Sequence, residues 1–261
     1  MHSVRVLQKI TRCNLTLQTL DGILCHCGEK VCDQYTPHTL RTFAAFNPVV
    51  EKCYQEERFI KTLRPSTLEG CVVRISDMIA YLGKDRQDAY KAKLRIQYDE
   101  NPLGARNPDI ITTIVQDLIE NSLEKPYLAL SQDVFEGMSA MLRENNEKIY
   151  QCEEVVKPYY EAIKPMMGLM YERFLKDLQT NHYNSLIFQH YLNGSVVGDF
   201  YRHPQKRFVQ TDIHDPNDIV ADFLASMTDD YFIDAFAYLF PSHKLNQKIR
   251  YIGYFDPRFT K

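Results

Sequence analysis

The chain has no tryptophan, no apolar run of about eighteen residues and no large surplus of either charge. Without such a run, nothing is expected to span a membrane. Thirty-one Lys and Arg against 34 Asp and Glu leave a net charge of −3 and a pI near 6.2. That balance gives no electrostatic case for nucleic acid or a lipid surface as the main partner. The opening "MHSVRVLQKI" lacks the apolar h-region of a signal peptide, so a cytoplasmic location is expected. The seven cysteines are an odd number scattered from Cys13 to Cys152. A secreted disulfide framework is denser and paired, so reduced thiols are the better reading. Internal repeats and low-complexity segments are also absent.

What is present is an ordinary soluble composition: 261 residues, 44% hydrophobic and 25% charged, enough for one large core or two modest ones. The aromatic content, 17 Tyr and 14 Phe, suits packing between helices. Apolar spacing predicts a helix over residues 3–28, an irregular stretch to 47, a helix near 48–60 and a break at "LRPS". The best-marked helix follows in "STLEGCVVRISDMIAYLGKDRQDAYKAKL", where Ser66 and Glu69 form an S-x-x-E capping box directly after Pro65. A turn-rich linker spans 97–108. Further helices are predicted at 109–122, 131–150, 157–179, 181–193, 216–229 and 230–240. Strand signals are limited to "KRFVQ" at 206–210 and "IRYIGYF" at 249–255. The fold class is all-α or nearly so, divided loosely near residue 100 into regions 1–100 and 101–261.

On a wheel of about 100° per residue, Leu68, Val72, Ile75, Ile79 and Leu82 lie opposite Asp77 and read as core. Asp77, Tyr81 and Asp85, at i, i+4 and i+8, form a carboxylate, phenol and carboxylate row about 12 Å long. Spacing alone favours a solvated acidic face. Val73 and the Tyr81 ring lie on that polar side too, which allows the face to be covered. A covered aspartate needs a cation or donors, because an unpaired buried carboxylate is costly.

"TLEGCVVRISDMIAYLGKDRQDA" resembles a stretch shared by deoxyguanosinetriphosphate triphosphohydrolase-like proteins of the HD superfamily. Two further blocks are similar to that family in the same order: "NLTLQTLDGILCHCGE" at 14–29 and "DIVADFLASMTDDYFIDAFAYLF" at 218–240. The resemblance implies a helical bundle that cleaves a deoxynucleoside triphosphate to deoxynucleoside and tripolyphosphate at a divalent metal, Mn or Mg. It implies that Asp77 is the last metal ligand of the motif. Tyr81 and Asp85 then line the deoxyribose, with His26 as a further substrate-facing candidate that can equally cap its helix. Family members commonly form homo-oligomers, so a second copy is an expected partner. In "SMTDDYF" the family usually carries a basic residue where Asp230 stands, which puts a phosphate contact there in doubt.

The resemblance also implies a histidine and a His-Asp doublet before Asp77, and the chain shows no counterpart for them. "HSVRVLQKI" resembles the helix that follows the His-Asp segment. The expectation is therefore a C-terminal portion of such an enzyme, inactive as an isolated chain. The alternative is a non-catalytic helical module for oligomer assembly or nucleotide sensing. The pair His214-Asp215 follows Asp77 and precedes Pro216, which reads as a helix start with Asp215 as N-cap. Cys25-His26-Cys27 has the wrong spacing for a zinc arm, and Cys32, Cys53 and Cys71 supply no second arm. "YRHPQKR" at 201–207 is the densest basic stretch. It is read as a solvated loop ahead of a phosphate receiver.

Overall fold

A computed structural model describes residues 1–27, 31–39, 41–202 and 215–249. The described residues are overwhelmingly helical, which gives the all-α class. They contain no helix long and apolar enough to cross a membrane. Both strand expectations, 206–210 and most of 249–255, fall outside them. So do His214 and the 203–207 part of the basic stretch.

The chain divides into two compact units, Met1–Cys152 and Glu153–Lys261. Residue 100, near which the sequence suggests a division, lies inside the first. In that unit α1 (His2–Arg5) runs on as a π-helical turn over Val6–Ile10. The helix expected over 3–28 is interrupted after this turn. Arg12 adopts a left-handed φ of 53°, and Thr16 restarts the chain as the cap of α2 (Leu17–Cys25) by accepting the Thr19 N–H. Thr42 caps α3 (Phe43–Gln55) by accepting from Ala45 N, so Pro48 stands inside a helix instead of preceding one.

The long helix α4 (Leu68–Lys91) begins one residue later than the capping box suggested. Thr67 is the cap and accepts from Gly70 N at 3.0 Å. Ser66 instead gives both its N–H and its hydroxyl to Asp21 Oδ2, at 2.7 and 2.6 Å. Downstream come α5 (Asn107–Ser122), with Pro108 in its first turn, and α6 (Gln132–Asn145), capped by Ser131 and extended by a π-helical turn over Asn146–Tyr150. A two-residue antiparallel ladder pairs β1 (Gln34–Tyr35) with β2 (Leu128–Ala129), Gln34 opposite Ala129 and Tyr35 opposite Leu128. It was not foreseen, because two residues are too few to show alternation.

Two apolar clusters fill this unit. One joins α4, α5 and α6 through Ile75, Met78, Leu82, Ile110, Ile114, Met138 and Met141. The other joins α1, α2 and α3 through Val4, Leu20, Leu24, Phe46 and Val50. The α4 core stripe is turned from the expected one. Cys71, Ile75, Met78 and Leu82 are buried, whereas Leu68 and Val72 are 37% and 45% exposed. Met78 and Cys71 pull the stripe round because α5 and α6 pack on that side.

Polar ties hold α6 on α4. Asn145, almost wholly buried, donates from Nδ2 to the Leu82 carbonyl and accepts from Arg86 Nε, both at 2.9 Å. Glu144 accepts from Arg86 Nη2, from Lys148 Nζ at 2.6 Å and from Asp99 N at 2.8 Å. In the second unit, α7 (Glu153–Pro158) leads through a π-helical turn into α8 (Lys164–Gln179), followed by α9 (Ser195–Arg202), α10 (Pro216–Ala225) and α11 (Asp229–Leu239). Phe174 of α8 packs on Phe223 of α10 with ring centroids 4.9 Å apart. Asp215 caps α10 by accepting from Asn217 N.

Burial alone would raise the Glu144 carboxyl. Lys148, the Asp99 N–H and Arg86 outweigh it and hold the carboxyl below the usual range. A depressed native value means the stabilisation is complete above the unfolded value and is lost as pH falls through the native one. Glu144→Gln should therefore cost about 1–3 kcal/mol at pH 7. The gap from wild type should shrink below about pH 4, as urea unfolding at several pH values would show.

Candidate functional site

Helix α4 carries Asp77, Tyr81 and Asp85, and its axial register is set from outside. Asp21 of α2 is 1% exposed; besides Ser66 it accepts from Arg41 Nη1 at 3.4 Å. Gly22 and Gly70 meet where α2 crosses α4. A Cβ on Gly70 would lie 3.6 Å from Gly22 Cα and only 2.7 Å from Pro65 Cβ. Arg74, also buried, donates from Nη1 to the carbonyls of Leu63 at 2.5 Å and Cys25 at 3.3 Å.

Asp77 and Asp85 are half-buried and Tyr81 is 55% exposed. The row thus stands at the open edge of α4, neither sealed in the core nor wholly in solvent. Val73, one turn before Asp77, borders a recess of about 580 Å³ at the α2–α4 crossing, with Gln18, Thr19, Ile23, Thr67 and Glu69 around it. Asp85 faces a different neighbourhood. Its charge reaches Tyr98, whose phenol is pushed up by burial first, with Glu144 and Asp85 adding and Arg86 opposing. The drift of about 40° per step along the row accounts for this divergence. A larger cavity of about 1150 Å³ lies on the other side of α4, between Gly83, Arg86 and Tyr90 and the Tyr98–Pro108 connection. Asp77, Tyr81 and Asp85 do not line it.

His26 is the C-cap residue of α2, with Nδ1 2.6 Å from the Ile23 carbonyl and Nε2 3.5 Å from Cys27 Sγ. One ring nitrogen is thus engaged in closing its own helix. Cys25 points inward and donates to the Arg64 carbonyl. Its thiol is pushed up to about 12, chiefly by burial and further by Asp21. Burial likewise pushes Cys71 up to about 11. Among the described residues no three His, Cys, Asp or Glu side chains gather as a metal requires. A single carboxylate does not hold a divalent ion against water, so the described residues do not by themselves fit one.

Sequence reasoning missed Asp21 and Arg74, the charged residues that fix α4. Their signal was position. Arg74 sits three residues after Cys71 and four before Met78, on the stripe that faces the core, and Asp21 adjoins buried Leu20.

The site is an acidic and phenolic row on the long helix of the first unit. The chain is similar to several proteins that carry one name, deoxyguanosinetriphosphate triphosphohydrolase-like protein. That of Clostridium tetani is 30% identical over 250 residues, covering 88% of this chain and 56% of the relative. That of Caldanaerobacter subterraneus subsp. tengcongensis is 28% identical over 194 residues, 71% and 50% respectively. That of Clostridium perfringens strain 13 is 26% identical over 249 residues, 90% and 57%. The chain spans about half the length of the curated relatives it matches. No family model matches it, and no solved structure does.

Thiol accessibility tests the placement of the cysteine-rich stretch. Iodoacetamide at about pH 8 should label exposed Cys13 fastest and half-buried Cys27, Cys32 and Cys152 more slowly. Cys25, Cys53 and Cys71 should stay unlabelled until the chain unfolds, as peptide mass mapping would read.

Proposed function

We propose that this chain is the later, nucleotide-facing portion of a deoxynucleoside triphosphate triphosphohydrolase of the HD superfamily, and that it does not hydrolyse nucleotides alone. The observation that carries this reading is the shared name of relatives matched over 71% to 90% of the chain. In this reading the row on α4 is the sugar side of the site. The Tyr81 ring, 55% exposed, packs against a deoxyribose, and Asp85 accepts a hydrogen bond from its 3′-hydroxyl. Asp77 contributes one carboxylate toward a divalent cation, with the remaining ligands supplied from outside the described residues. His26, held at Nδ1, would turn Nε2 from its contact with Cys27 Sγ to the nucleotide.

A second reading is a non-catalytic helical module that serves oligomer assembly or nucleotide sensing. It is favoured by the lack of a three-ligand cluster among the described residues and by the exposure of Val72, Val73 and Tyr81.

The purified chain incubated with dGTP and Mn²⁺ should release tripolyphosphate at background level; turnover abolished by Asp77→Asn would refute its inactivity. In a thermal-shift titration, a deoxynucleoside triphosphate at about 100 times Kd should stabilise the fold by roughly 2.7 kcal/mol. Tyr81→Ala and Asp85→Asn should each remove most of that shift. Identical melting with and without all four deoxynucleoside triphosphates would overturn the nucleotide reading.

A further inference from the structure

A recess separate from the row on α4 opens between β1 and the segment ahead of α4, and it holds about 590 Å³. One wall runs over residues 31–36 and the other over 61–65, with Cys71, Arg74 and Phe135 completing the lining. His26, Asp77, Tyr81 and Asp85 are not among the described residues that line it. Both walls are fixed. The ladder to β2 holds the first, together with the Leu130 N–H, which donates to the Asp33 carbonyl at 2.9 Å. Arg74 ties the second to α4 through the Leu63 carbonyl, and the His38 N–H joins the two by donating to the Pro65 carbonyl at 2.8 Å.

The charge in this recess is one-sided. Lys61, Arg64 and Arg74 line it against one described carboxylate, Asp33, an excess of two positive charges. Lys61 and Arg64 are exposed, and neither side chain has an acid or an acceptor among the described residues. Arg74, at 4% exposure, adds a charge that water barely screens. Uncharged donors accompany these cations. The buried Tyr35 hydroxyl accepts the Cys32 N–H at 3.1 Å, and burial pushes the phenol up to about 12, so it keeps a proton to give. The Thr36 hydroxyl accepts from Gln34 Nε2 at 2.8 Å and likewise keeps its proton. Cations without matching carboxylates, set among hydroxyl donors in a fixed concavity, describe a receptor for an oxyanion. The excess of two matches a dianion, whereas a monocarboxylate leaves one charge unmet.

We propose that this recess binds a small phosphomonoester, its phosphate dianion held by Lys61, Arg64 and the Tyr35 hydroxyl and its carbon part lying on Val31, Leu63 and Phe135. The recess is far larger than a bare phosphate, which leaves room for a carbon skeleton against those apolar residues. Free inorganic phosphate offers the same head group, and the carbon part separates the two sources. Arg74 adds attraction while its Nη1 stays on the Leu63 and Cys25 carbonyls. The same guanidinium fixes the start of α4, so occupancy of the recess is coupled to the junction of α2 with α4. The site requires neither a metal ion nor the row on α4, and it stands whether or not that row faces a nucleotide.

Calorimetric titration of the whole chain in EDTA, at constant ionic strength, tests this with inorganic phosphate and phenyl phosphate as probes. Inorganic phosphate should bind with a dissociation constant on the order of a millimolar, and phenyl phosphate about tenfold more tightly. Benzoate, with the ring and a single charge, should bind at least about tenfold more weakly than phenyl phosphate. Lys61→Gln and Arg64→Gln should each weaken phenyl phosphate about five- to tenfold, and Tyr35→Phe about threefold. Lys61 and Arg64 are exposed, and circular dichroism separates lost binding from lost helix. Tyr81→Ala should leave phosphate binding unchanged. Equal affinity for the two phosphates would overturn the phosphomonoester and assign the recess to free phosphate. Absence of saturable heat up to about 20 millimolar of either probe would overturn the site itself. So would binding indifferent to both Lys61→Gln and Arg64→Gln, or binding lost in Tyr81→Ala, which would move the anion to the row on α4.

Discussion

One buried carboxylate sets the geometry of the first unit. Asp21 receives two short hydrogen bonds from Ser66, at the threshold of α4, and a third contact from Arg41. A carboxylate at 1% exposure is tolerable only with such donors, so the α2 surface and the start of α4 are fixed to each other as a condition of burying it. Arg74 closes the same junction one turn further on by satisfying two backbone carbonyls that no helix uses. Between these two charges the Gly22–Gly70 crossing brings the helices together with no side chain intervening. The orientation of every outward residue on α4 follows from this junction.

Much of the architecture was legible because helices announce themselves through period and caps. The α5 and α6 ranges matched their sequence windows closely, since Pro108 and Ser131 are strong start signals and the apolar spacing between is regular. The failures have local causes. Residues 3–28 read as one helix because Leu15 and Leu17 continue the apolar count across a break made by the left-handed Arg12. Pro48 read as a boundary, yet α3 accommodates it by starting five residues earlier at Phe43, behind the Thr42 cap. Ser66 has the right spacing to cap α4, but a better acceptor across the chain engages it and passes the role to Thr67. A backbone angle, an earlier local cap and a tertiary partner, in that order, overrode the pattern read from spacing.

The candidate site was legible as a row and not as an environment. The wheel placed Asp77, Tyr81 and Asp85 on the side of α4 away from Ile75 and Leu82, and they do lie there. Leu68 and Val72 were expected in the core, but α5 and α6 turn the buried stripe toward Met78 and leave both apolar residues outside. Sequence spacing cannot report that rotation, because an apolar residue reads the same on either side of a helix. The rotation matters for the surface beside Asp77, since it leaves Val72 on the outside of α4 next to the already exposed Val73.

The small ladder between Gln34–Tyr35 and Leu128–Ala129 has a kinetic consequence. Its halves are joined by a long loop that contains α3, α4 and α5, and closing so long a loop costs entropy that two backbone pairings cannot repay. The ladder therefore forms late, as a clasp on helices that have already docked.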